Sequence, residues 1–146
     1  MIDELIKIYE RDLDRLRVEI EAFEQESNLW KTNGNITNPA GNLCLHLAGN
    51  LNTYIGKNIG QTDYVRDRHA EFNLKDVPKN TLLIQVDEVK DVVLSTIRQM
   101  NRDDLEEVYT EKIFGYEMTN GFLLVHLATH LSYHLGQINY LRRFLE

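Results

Sequence analysis

Residues 119–145 read TNGFLLVHLATHLSYHLGQINYLRRFL, and their spacing decides the fold. Phe122, Val125, Leu127, Leu131, Ile138, Leu141 and Leu145 keep apolar side chains recurring at helical intervals. Thr119 or Asn120 can cap the start, because a short polar side chain accepts a hydrogen bond from the first free backbone N–H groups. Three histidines stand in the middle of this helix: His126, His130 and His134.

The same period recurs upstream. Ile2, Leu5, Ile6, Tyr9, Leu13, Leu16, Ile20 and Phe23 predict a helix over 2–26, with Asp3 and Glu4 at the positive end of its dipole. The Asn- and Gly-bearing stretch 27–38 (SNLWKTNGNITN) stops it, and Asn38-Pro39 restarts a second helix, read over 39–57. Leu82, Val86, Val89, Val93 and Ile97 predict a third helix over 80–101. Residues 58–79 have no sustained period and read as a long connection, a length more often functional than idle. Residues 102–118 read as irregular, with a short extended pair at Val108–Tyr109 and Phe114–Tyr116. Four helices and no convincing sheet predict an all-α four-helix bundle with one domain over 1–146.

Composition narrows the function. The net charge is −7, and the only dense basic spot is Arg142–Arg143, so the chain lacks the basic stripe of a nucleic-acid binder. No apolar run approaches the ~20 residues that cross a bilayer. The charged N-terminus does not resemble a signal peptide, and the lone Cys44 fits a reducing compartment, so cytoplasmic location is expected. Cys44 itself reads as a small buried apolar residue.

Residues four apart on a helix are separated by ~40° and ~6 Å, so His130 and His134 stack on one face and can chelate one ion. His126 and His134 are ~12 Å apart along the axis, too far to share it. A third ligand has to come from another helix, and His46 is the candidate, set among apolar and small residues on the second helix. Three neutral imidazoles leave a divalent ion with open positions, as catalytic sites do. The same residues are compatible with hydrogen-bonded core histidines and no metal. His126 reads as a core or supporting group and His69 as a loop residue.

The segment His126-Leu-Ala-Thr-His130-Leu-Ser-Tyr-His134-Leu-Gly-Gln-Ile resembles the signature of the DinB-like (DinB/YfiT) superfamily of metal-dependent enzymes. Asn42-Leu-Cys-Leu-His46-Leu-Ala-Gly-Asn50 is similar to its helix-two motif, and Arg66-Asp67-Arg68 with Glu71-Phe72 looks like the second connection of one branch. The resemblance spans essentially the whole chain. It implies a DinB/YfiT-type bundle, one divalent ion (zinc or nickel) on His46, His130 and His134, and a homodimer. It also implies a small-molecule substrate, while the charge balance and the lack of a long apolar run argue against nucleic-acid and membrane partners. The activity implied is that of a metal-dependent transferase of the thiol S-transferase type, or a hydrolase; some relatives use bacillithiol or mycothiol. The alternative is a non-catalytic metal-binding stress or regulatory bundle. This chain has Tyr133 where a histidine often stands and Leu135 where an arginine often follows, which removes a positive group that an anionic thiol would meet.

Other residues carry double readings. Asn50 and Gln137 can orient ligands or bond between helices. Gly49 and Gly136 can permit close helix approach, and Tyr54 and Tyr133 can line a pocket. The pocket is expected to open toward 58–79, guarded by Tyr64, Arg66 and Arg68, with the two arginines either contacting an anionic substrate or pairing with nearby acids.

Overall fold

The computed structural model describes residues 1–146. Four principal helices form a bundle: α1 (Ile2–Glu21), α2 (Ala40–Leu51), α4 (Lys79–Gln99) and α6 (Asn120–Leu145). Two short helices, α3 (Arg68–Asn73) and α5 (Arg102–Glu106), sit in the second and third connections. There is no strand; a single backbone bridge joins Val108 and Thr119.

The apolar stripes fill one core. Leu5, Tyr9, Leu13, Leu16 and Ile20 of α1 meet Leu82, Val86, Val89, Val93 and Ile97 of α4 and Leu127, Leu131, Ile138 and Leu141 of α6. All these side chains are buried, so truncating one, as in Leu131→Ala, costs about 2–5 kcal/mol. Tyr9 sinks its ring in this core and donates its hydroxyl to the Leu124 carbonyl oxygen at 2.6 Å, tying α1 to α6. Phe122 and Val125, expected on the core stripe, are exposed instead, because the inward face of α6 there is the one carrying Leu123, Leu124 and Leu127, which are buried.

α2 differs from the other helices. All twelve of its residues are buried, as expected for a helix apolar around its circumference and surrounded by α1, α3, α4 and α6. At Asn52–Lys57 it widens into a π turn, with Asn58 N–H reaching back to the Thr53 carbonyl at 3.1 Å.

Element ends depart from the sequence reading in three places. α1 stops at Glu21, and a 3₁₀ turn at Glu26–Trp30 follows, placing Phe23 and Leu29 in the core. The N-cap of α2 is Pro39 rather than Asn38, and its φ of −63° with ψ of 159° turns the chain into the helix without a side-chain cap. The extended segment near Val108 pairs with Met118–Thr119, not with 114–116: Tyr109 N–H donates to Met118 O at 2.8 Å, just before Thr119 caps α6. The 58–79 connection also carries α3, whose N-cap Asp67 accepts a hydrogen bond from Ala70 N–H at 3.0 Å.

Candidate metal centre

α6 places His130 and His134 one turn apart, with ring centroids 4.5 Å apart and Nε2 atoms separated by 3.1 Å. α2 brings His46 across the bundle, its Nε2 3.3 Å from that of His130 and its ring 5.3 Å from that of His134. One nitrogen from each ring lies within 4.8 Å of the other two. Tetrahedral Zn–N bonds of about 2.0–2.1 Å would set ligand nitrogens roughly 3.3 Å apart, so the two short separations suit one ion.

The protonation pattern also fits a cation. His46 Nδ1 faces Glu71 Oε1 at 3.0 Å, and His134 Nδ1 faces Gln137 Oε1 at 2.7 Å. Both partners are oxygen acceptors, so each Nδ1 carries the proton and each Nε2 turns a lone pair inward. Burial pushes His130 down to about 4, helped by the neighbouring histidines and Arg66. Burial lowers His134 as well, against the opposing hydrogen bond to Gln137. Neutral imidazoles whose lone pairs converge repel each other unless a proton or a metal lies between them, and a divalent ion can serve all three. His130 Nδ1 is buried with no hydrogen-bond partner, leaving that ring the least anchored of the three.

The strongest support comes from the second connection. Glu71, only 5% exposed, is gripped by Arg66 through Nε to Oε2 at 2.8 Å and Nη2 to Oε1 at 2.9 Å. Burial raises the Glu71 carboxyl, but hydrogen bonds from His46 and Arg66 and the arginine charge outweigh it and hold it below the ordinary carboxylate range. The carboxylate can lie against α2 because residue 49 is glycine; a Cβ there would collide with it. Asn42 secures the α3 backbone from α2, donating Nδ2 to the carbonyl oxygens of Glu71 at 3.0 Å and Leu74 at 2.8 Å. Phe72 then covers the His46 ring at 4.8 Å between centroids.

Sequence reasoning singled out the three histidines that come together. His126 stays out of the nitrogen cluster and packs its ring against Phe114 at 4.6 Å, while His69 is exposed on α3. Gln137 orients a ring, whereas Asn50 leaves its Oδ1 buried and unpartnered. Cys44 is buried, and burial pushes its thiol up to about 12, so it stays protonated. Gly136 faces open space rather than a neighbouring helix.

One expectation is overturned, and one open alternative is resolved. Of its two readings, Arg66 takes the pairing one: it is engaged with Glu71, with its guanidinium 5.6 Å from the Tyr54 ring centroid. The groove that has a triad residue in its wall, His134 with Gln137, runs against residues 35–38 instead of the 58–79 connection. Tyr64 lines a separate cavity with Glu71 and Gly49 that includes none of the three histidines. Glu71 was missed as a supporting residue. The connection also offers Asp63, Asp67 and Asp76, and no period distinguishes among them. The usable signal was a glycine three residues after His46.

The class of protein so defined is a helical bundle with a three-histidine cluster between two of its helices. The chain belongs to the DinB superfamily, whose family model matches residues 8–138. Its structure is similar to that of YfiT from Bacillus subtilis, with a TM-score of 0.79 and 18% sequence identity over 99% of this chain and 87% of that one. YfiT is described as a probable metal-dependent hydrolase with an unusual four-helix bundle topology. At that identity the likeness establishes the fold alone. No curated protein matches the chain. No helix is long and apolar enough to cross a membrane.

Proposed function

We propose that His46, His130 and His134 hold one divalent metal ion, zinc or nickel, and that the protein is a metal-dependent enzyme acting on a small molecule by hydrolysis or thiol transfer. The observation that carries this reading is the convergence of three Nε2 atoms, two of them with the opposite nitrogen fixed on an acceptor oxygen. When bound on three imidazoles, the ion would supply Lewis acidity and lower the pKa of water or a thiol at its open side.

The chain's own residues contribute orientation more than proton transfer. Glu71 is committed to His46 and Arg66, so it orients a ligand rather than acting as a free base. Gln137 fixes the His134 ring from the exposed side, and Phe72 shields His46. Cys44, buried with its thiol pushed up to about 12, takes no part as a nucleophile. We further read the protein as a cytoplasmic homodimer.

Metal analysis of protein purified without an affinity tag tests the first part. One equivalent of zinc or nickel is expected in the wild type, and none in His46→Ala. Turnover of a model ester, or of a model electrophile with bacillithiol, by the loaded protein and not by the stripped one tests the second part. Full metal occupancy with neither activity would favour a non-catalytic metal-binding bundle.

A further inference from the structure

A groove of about 640 Å³ lies beside the triad, with His134 and its partner Gln137 in its wall; His46 and His130 do not line it. Its apolar lining comes from Ile36 and Leu43 on one side and Tyr133, Tyr140, Leu141 and Phe144 of α6 on the other. Tyr133, Tyr140 and Phe144 are spaced by seven and four, so they share one face of α6. Tyr140 and Phe144 are 74% and 68% exposed. Polar groups are few: the amides of Asn35, Asn38 and Gln137 and the hydroxyl of Thr37 supplement the tyrosine hydroxyls.

None of the eleven residues lining this groove is Asp, Glu, Lys or Arg. The chain otherwise carries 16 basic and 23 acidic residues, so an uncharged surface of this extent beside the triad is distinctive. Arg143 lies over the Tyr140 ring, 5.5 Å from its centroid, but does not line the groove. On the opposite side of His46, Arg66 is neutralised by Glu71, and the cavity there includes Asp67, Glu71 and Glu88. Thus the side chains that line the groove offer a charged ligand no countercharge for the hydration it would lose. An uncharged ring would gain apolar and aromatic contact on both walls.

We propose that this groove binds an uncharged, aromatic-bearing small molecule beside the triad, against the His134–Gln137 edge. The proposal rests on the metal-enzyme reading for the purpose of that binding, although the groove itself is built from residues other than the ligands.

Equilibrium binding of two probes with the same ring system tests it: neutral 2-naphthol and anionic naphthalene-2-sulfonate, each titrated into zinc-loaded and metal-stripped protein. In the stripped protein, where no ion adds its own charge, 2-naphthol should bind at least about 10-fold more tightly than the sulfonate, a 1.4 kcal/mol difference. Phe144→Ala and Tyr140→Ala, both exposed positions at which folding should survive, should each weaken naphthol several-fold. Val18→Ala, on α1 and outside this groove, should leave it unchanged. Equal affinities, tighter sulfonate binding, or insensitivity to both α6 substitutions would overturn the proposal. So would a solution dimer dissociated by Tyr140→Asp, which would assign this face to a second copy. Failure to retain zinc with naphthol discrimination intact would overturn the metal reading and leave the groove assignment standing.

Discussion

His46 and His134 are supported in opposite ways. On the α2 side, His46 is 7% exposed and held by a buried carboxylate, which an arginine holds in turn. On the α6 side, His134 is half-buried and held by a neutral, exposed amide from its own helix. His130, between them, has no partner for its Nδ1. Charged support needs burial and a long-range clamp, while neutral support needs only the next helical turn. The centre therefore has a rigid side facing the second connection and an accommodating side facing the groove.

The largest effect should come from removing the shared ligand. In His130→Ala, chelator should no longer lower the melting temperature, because metal that binds only the native state stabilises it by mass action. Wild-type protein should show that chelator-dependent drop in thermal unfolding, and His69→Ala should retain it.

Glu71→Ala should come next and distinguishes the two sides most directly. It strands the Arg66 guanidinium in a mostly buried site, which costs about 3–5 kcal/mol in chemical denaturation. Glu71→Gln keeps the shape and should weaken zinc affinity by about 10–100-fold, the usual range for an outer hydrogen-bond partner. Gln137→Ala should weaken it by less than about 10-fold, since solvent can reach His134 Nδ1 and replace the amide. Equal losses in Glu71→Gln and Gln137→Ala, read by competition titration, would erase the contrast.

Acid should act on both sides. The His130 pKa is depressed from 6.5 to about 4 in the folded protein, so between those values the unfolded chain binds more protons than the native one. Stability of the metal-free protein should therefore fall as pH drops from 6.5 toward 4. The lowered Glu71 carboxyl adds a loss in the same direction, at the acid end of the carboxylate range. Denaturation followed across this window should show a shallower slope in His130→Ala than in wild type.

Two glycines give the smallest and sharpest comparison. Gly136→Ala meets open space in the interior of α6 and should stabilise the protein by about 0.5–1 kcal/mol through helix propensity. Gly49→Ala gains the same propensity but drives a methyl into the Glu71 carboxylate, so it should lower both stability and metal affinity. An equal, favourable shift in both melting temperatures would mean that Glu71 does not lie against α2.

The sequence by itself determined the helices and the pair on α6. Both follow from local periodicity: apolar residues at three and four mark a buried face, and His130 and His134 share a face by the same arithmetic. His46 was a candidate as the one histidine among apolar and small residues on the second helix, and the resemblance supported it, but a uniformly apolar helix gives it no facing direction of its own. Only the tertiary structure decided that Glu71 and Arg66 stand behind His46, because an aperiodic connection carries no code for which acid returns to the core. It also decided that a groove lined by Tyr133, Tyr140 and Phe144 lies beside His134. A face shared by aromatic residues on a helix predicts burial or exposure equally well until the packing of the 35–38 loop leaves it open.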